Sequence, residues 1–355
     1  MSLFVHTDDG KFGYVKSAKD HRDKFVDALN KRFNIGSTQL NIDRIFNIKV
    51  DRRSDGSIKL SQQKYILDLM KQYHVDPDDN VTSPMSTTFS MHVRTELSDK
   101  ERTQMRQRPF LSLLSALMWL SRCTRYDIST ALTILSRATS LPDISHWRSL
   151  MRILKYLHNT LDYGLVFMTP KEPDHIRLRV LSDASHANDD ITGRSISGIF
   201  VVVSGAILDW VSRHQPYVSL HSGEAETICA STAATHILYW QQLLEPILGY
   251  VPTSDLLVDS TTARNTLSTP IHTSQMRHIR TKLLFTRELI VSLRRELRAW
   301  GGVCSTLDYS TRELQSATFR RSASYLGKRD HPSSSKTAAT TAKQPALKKL
   351  DPGSK

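Results

Sequence analysis

The chain has 355 residues, 39% of them hydrophobic and five of them Trp, which is enough for two or three modest cores and excludes global disorder. No apolar run approaches the roughly 20 residues of a membrane span, and the opening MSLFVHTDDG has neither the basic nor the apolar region of a signal peptide. A formal net charge of +13 suits a polyanionic partner, and Cys123, Cys229 and Cys304 are too scattered for a disulfide framework or a zinc site, so an intracellular protein of cytoplasm or nucleus is expected.

Residues 20–33 place Phe25, Val26, Leu29 and Phe33 at helical spacing. RIFNIKVDR and SIKLS read as strands joined by Arg53-Ser54-Asp55-Gly56, a hairpin signal. Residues 62–73 read as a helix with Tyr65, Ile66, Leu69 and Tyr73 on one stripe, and 76–105 as a polar linker. Helices are predicted over 109–141 and 145–159, parted by Pro142, with Asp143 or Ser145 as N-cap.

From 163 the period shortens. Strands are predicted at 163–168, 175–183, 197–203 and 206–213, then a helix over about 223–245 that ends near Pro246. The short strand 255–259, a helix, a further helix from about 277 and a strand near 303–309 follow. Trp119, Trp147, Trp210 and Trp240 are expected in cores. Residues 327–355 are rich in Ser, Thr, Ala, Lys and Pro and are expected to be disordered and basic.

Two of these strands end on a carboxylate, Asp183 and Asp259. Side by side and parallel, they would present both acids at one sheet edge, where ligands gather. The helix opening HSGEAET offers a third acid. Glu224 and Glu226 point about 200° apart around a helix. The Glu226 face continues through Ala230, Ala233, Ile237, Trp240 and Leu244, small and apolar, so Glu226 is expected to face inward and Glu224 to be solvated.

Three convergent carboxylates do not all ionise cheaply without a cation. Mg²⁺ suits such oxygens, and a pair of ions about 4 Å apart can activate water against a phosphodiester. The plainer roles stay open: a strand-end Asp can cap a turn, and a helix-start Glu can complement the helix dipole. Arg194, Arg213 and His214 flank the sheet and could hold phosphates or form a solvated rim, and His272 and His278 could shuttle protons or be ordinary surface histidines.

The stretch 182–231 resembles the ribonuclease H domain of copia-type retrotransposon polyproteins. The matching features are Ser182-Asp183-Ala184, then Ser195-Ile196-Ser197-Gly198, then Trp210-Val211-Ser212, then Glu224-Ala225-Glu226. LLVDSTTA, His272, Arg277-His278-Ile279 and Arg287-Glu288 continue the likeness. Upstream, LSLLSALMWLSRCTRYDISTALTILSR and HWRSLMRILKYLHNTLDYGLVF look like the helical connection before that domain. SIKLSQQKYILDLMKQYHV is similar to the end of the reverse transcriptase, and FVHTDDG to its two-aspartate palm turn, with Asp8 and Asp9 as the pair.

The resemblance spans about 4–320. It implies an α+β chain whose ribonuclease H-like mixed five-stranded sheet with flanking helices follows a partial palm and thumb and a helical connection. The implied divisions are 1–85, 86–162, 163–326 and the tail 327–355. The implied activity is hydrolysis of RNA in RNA–DNA hybrids, with Asp183, Glu226 and Asp259 as catalytic acids holding Mg²⁺ or Mn²⁺; Arg194, from its place beside the sheet, and His272 and His278 are candidate substrate contacts. The implied partners are nucleic acid and the remainder of the Pol polyprotein, with no membrane.

Two departures qualify that expectation. The earlier palm aspartate has no counterpart, so the reverse transcriptase portion is expected to be inactive alone. The family's fourth nuclease acid falls on Ser316 or Ala317, with Asp308 and Glu313 out of register, and Arg280 stands where an acid is usual. A catalytically degenerate nucleic-acid-binding remnant is therefore the alternative. An integrase-like strand transferase is a weaker one, opposed by a Glu-bearing helix directly after the third strand.

Overall fold

The computed structural model describes residues 2–6, 9–13, 19–33, 43–86, 88–168, 176–187, 189, 191–203, 206–269, 279–292 and 296–299. Strands β1 (Ser2–His6) and β2 (Asp9–Gly13) form an antiparallel hairpin. Helix α1 (Lys19–Arg32) follows, and its apolar stripe is at most half-buried. β3 (Arg44–Ile45), β4 (Ile48–Arg52) and β5 (Ile58–Ser61) make an antiparallel meander whose β4–β5 turn carries Gly56.

A helical core is built from α2 (Gln63–Gln72), α3 (Asp99–Arg106), α4 (Phe110–Cys123), α5 (Ser129–Leu135) and α6 (Ile144–Asn159). Ile66, Leu69, Leu113, Leu117, Leu132, Ile153 and Leu157 meet in one apolar cluster. The predicted polar linker 76–105 is corrected here. Val81, Met85 and Leu97 are buried, Asn159 donates to the carbonyls of Asp78 and Val81, and Ser98 with Glu101 forms a capping box that starts α3.

The single helix expected over 109–141 is broken at Thr124-Arg125. Arg125 turns inward and is fully buried, donating to Asp127 at 2.7 Å and to the Thr160 carbonyl at 3.1 Å. Tyr156 also donates to Asp127, at 2.9 Å. A continuous helix would carry this guanidinium away from those partners. Asp143 is the N-cap of α6, accepting from the Ser145 and His146 amides. Trp119, expected in a core, is 41% exposed on α4.

Strand β6 (Leu165–Phe167) does not join the downstream strands; it pairs with β5 and completes a four-stranded sheet β3-β4-β5-β6. β7 (Arg177–Ser185), β8 (Ile196–Val203), β9 (Ala206–His214), β10 (Thr253–Val258) and β11 (Glu296–Ala299) form a mixed five-stranded sheet in order β11-β10-β7-β8-β9. β7, β10 and β11 are parallel, while β8 and β9 are antiparallel neighbours. The strand predicted near 303–309 lies outside the described residues; the edge position is held by β11.

Helix α7 (Ser222–Leu248) lies on one face, with α8 (Thr261–Ser268) and α9 (Arg280–Ser292). Its Ala225, Ala230, Ala233 and Ile237 pack on Leu178, Val180, Ile199 and Leu256. α7 runs through Pro246 instead of ending before it, and stops at Gly249, whose φ of +79° suits a residue without Cβ. Pro246 sits in an exposed last turn, where the carbonyl it leaves unpaired can be hydrated. The other sheet face, with Leu181, Phe200, Val202 and Ile207, is covered by Leu60 and Phe167 of the four-stranded sheet and by Tyr126.

Candidate active site

The β7–β10 register brings two acids level. Ser182 pairs with Val258, so the next residues along the two parallel strands are Asp183 and Asp259. Adjacent strands lie about 4.8 Å apart. Asp183 sits inside β7, which continues to Ser185 instead of ending at the acid, and Asp259 follows the last residue of β10. α7 adds Glu226 from its second turn. One carboxylate oxygen from each of Asp183, Glu226 and Asp259 lies within 4.8 Å of the other two. The group grades from Glu226, 7% exposed, through half-buried Asp183 to exposed Asp259.

The Ala184 amide donates to Glu226 Oε1 at 3.1 Å, which fixes the carboxyl group. Oε2 is equally buried and receives no hydrogen bond among the described residues. Burial, then the charges of Asp183 and Asp259, push the Glu226 carboxyl up to about 9. The site therefore has a deficit of positive charge that a proton or a divalent cation would fill. Under it, the Cys229 thiol donates to the Asp183 carbonyl at 3.1 Å.

Glu224 is corrected: it is fully buried, not solvated. The angular argument separating the two glutamates holds, but the loop before α7 folds back over the outer face. Glu224 Oε2 accepts from the Leu220 amide at 2.9 Å, and the N-cap His221 accepts from the Glu224 amide through Nδ1 at 3.2 Å. Gln215 ties that loop down, donating to Ser197 Oγ at 3.0 Å and to the Ala225 carbonyl at 2.9 Å. At the same end Gly223 abuts α8; a Cβ there would lie 2.8 Å from Thr262 Cγ2.

Arg194 is exposed in the β7–β8 turn, and Arg213 is exposed near the end of β9. Both ring nitrogens of His214 are buried without hydrogen-bond partners among the described residues, and burial holds its pKa below the ordinary histidine value. Asp9 opens β2. Asp8, His272, His278, Asp308, Glu313, Ser316 and Ala317 lie outside the described residues.

A second cluster, His92, Asp143 and His146, has its ligand atoms equally close. Its atoms are already committed. His146 Nδ1 accepts the Asp143 amide at 3.1 Å, Asp143 Oδ1 caps α6, and Arg94 approaches Asp143 Oδ2 at 3.5 Å, which repels a cation. Sequence reasoning also missed Arg137 and Asp189, which join the upstream helices to the turn beside the acids. No periodic signal marks either residue.

The fold and the three converging acids define a mixed-sheet domain with a carboxylate cluster at one sheet end, packed against a helical module. No family model matches the chain. It is 28% identical over 272 residues to the retrovirus-related Pol polyprotein from transposon RE2 of Arabidopsis thaliana, covering 75% of this chain and 18% of that protein. It is 28% identical over 255 residues to the one from transposon TNT 1-94 of Nicotiana tabacum, covering 70% of this chain and 18% of that protein. The secreted RxLR effector protein 161 of Plasmopara viticola is 36% identical over 135 residues, 38% of this chain and 93% of the effector. Among solved structures, LC11-RNase H1 isolated from compost matches with a TM-score of 0.28 at 10% identity, over 35% of this chain and 84% of the other.

Three retrovirus-related Pol polyproteins of transposons thus match this chain at 28% identity over 70–85% of its length, and the chain is their relative in sequence. It spans about a fifth of the length of those relatives.

Proposed function

We propose that the chain carries the nuclease of a copia-type element, and that it hydrolyses RNA in RNA–DNA hybrids. The observation that carries this is the meeting of Asp183, Glu226 and Asp259 within 4.8 Å, with Glu226 Oε2 buried and given no hydrogen-bond donor among the described residues. Hard carboxylate oxygens with an excess of negative charge fit Mg²⁺ or Mn²⁺. When bound, such an ion supplies Lewis-acid polarisation of the phosphodiester and a lower pKa for the attacking water.

The residues of the chain do the positioning. The β7–β10 register sets Asp183 beside Asp259, and the Ala184 amide holds one Glu226 oxygen so that the other stays available. Exposed Arg194 is the candidate contact to backbone phosphate, and 2′-hydroxyls and groove shape would select the hybrid. Residues 1–85 are read as the end of a reverse transcriptase, 86–162 as the connection and 163–326 as the nuclease.

The test uses the whole chain with end-labelled RNA–DNA hybrid and Mg²⁺ or Mn²⁺, beside Asp183→Asn. Cleavage in the wild type that Asp183→Asn loses supports the nuclease. Hybrid binding without cleavage under either metal would replace it with a degenerate binding remnant.

A further inference from the structure

The turn between β7 and β8 borders the acids, and its anchor comes from far upstream in the chain. Asp189 is 4% exposed. Its Oδ1 accepts from the Arg137 guanidinium and from the Ile191 amide at 3.0 Å, and its Oδ2 accepts from the Thr192 hydroxyl. The Asp189 amide donates to the Arg194 carbonyl at 3.2 Å, and the Gly193 amide to the Asp189 carbonyl at 2.7 Å. One carboxylate thus organises the turn and ties it to Arg137.

Arg137 is delivered on a braced element. It lies in the short 3-10 turn Ser136–Ala138 that continues α5. α5 lies along β9: Thr133 Oγ1 donates to the Ser212 carbonyl at 2.9 Å, and Thr130 Oγ1 lies 3.2 Å from Ser212 Oγ. One turn of chain earlier, Trp210 of β9 donates to the Ser121 carbonyl at 2.7 Å. The helical segment therefore covers an edge strand and reaches round it to the turn beside Asp183. The turn's fixed backbone carries the exposed Arg194, two residues before β8 begins.

We propose that Arg137 is a positioning residue for the nuclease: through Asp189 it holds the turn so that Arg194 meets the phosphates of a nucleic acid lying across the acids. This rests on the nuclease reading, and it makes the upstream helical segment a working part of that site. Arg137 touches none of the three carboxylates. Their mutual geometry is set by the β7–β10 register and by α7, so loss of Arg137 should weaken substrate binding and spare the chemical step.

The test compares the full chain with Arg137→Ala, Arg137→Lys and Asp189→Asn in two assays. In limited trypsin digestion read by mass, Arg137→Ala and Asp189→Asn should be nicked after Arg194 at least roughly fivefold faster than wild type, because the turn opens more often. In hybrid cleavage their KM should rise by roughly tenfold with kcat nearly unchanged, and Arg137→Lys should recover part of both effects. Unchanged nicking overturns the proposal, as does faster nicking with unchanged KM, or a Lys variant no better than Ala. If Arg137→Ala does not fold, Asp189→Asn, nearly identical in shape, decides. If the wild type cleaves no hybrid, the nuclease reading fails by itself, and the nicking rates with hybrid dissociation constants still judge Arg137.

Discussion

At Glu226 a carboxyl group is buried beneath α7 while facing two further acids, and both effects favour its protonated form. From an ordinary carboxyl value near 4.5, folding pushes the group up to about 9. Between those values the folded chain binds more protons than the unfolded one, so this group's contribution to stability falls as pH rises through the window. In chelator, the urea midpoint of the wild type should therefore drop between about pH 5 and pH 9 more steeply than that of Glu226→Gln. Equal slopes would count against the electrostatic picture. Added Mn²⁺ should flatten the wild-type slope and leave Glu226→Gln unaffected. Glu224, two residues away, shows what a sequence conceals. Its helical face was legible, but the loop that returns to cover that face was not.

Among the elements, α7 and α8 matter most, because their N-terminal turns meet beside Asp259. Gly223 allows that meeting, and a methyl group there would press on Thr262. Turning the Thr262 side chain removes the 2.8 Å contact but leaves its Cβ at 3.4 Å. Gly223→Ala should cost about 1–3 kcal/mol through overpacking and weaken Mn²⁺ binding by separating Glu226 from Asp259. Thr262→Ser, which deletes the crowding methyl, should restore most of both. Calorimetric Mn²⁺ titration of the single and double variants checks this, and a double variant as weak as the single one would refute it. The strands that carry Asp183 and Asp259 were readable because apolar runs ending on an acid are local patterns. The pairing of β6 with β5 was not, because it joins segments distant in sequence and nothing local encodes it. The break at Arg125 was hidden for a similar reason: its partners Tyr156 and Thr160 lie at the C-terminal end of another helix, α6, distant in sequence.

For the whole molecule, the five-stranded sheet is covered on both faces by its own chain. α7, α8 and α9 cover one face, and Leu60, Phe167 and Tyr126 cover the other. Residues 163–355 expressed alone would lose Leu60 and Tyr126 from the face of Leu181, Phe200, Val202 and Ile207, and β6 would lose its partner strand while the β9 edge lost α5. Such surfaces promote association. That shortened chain should bind a hydrophobic dye and elute as oligomers, and a monomer with the melting temperature of the full chain would contradict this. The family was legible from short motifs around the acids, while the interlock of the two modules was not, since contacts such as Arg137–Asp189 join polar stretches without period. That interlock bears on what a single cut within the chain would do. β5 ends at Ser61 and β6 begins at Leu165, so the four-stranded sheet is stitched from both sides of everything between them. A protease cutting at the exposed residues 93–96 would release no separate products. The two pieces would remain a nicked heterodimer, held by the β5–β6 ladder and by the grip of Asn159 on Asp78 and Val81.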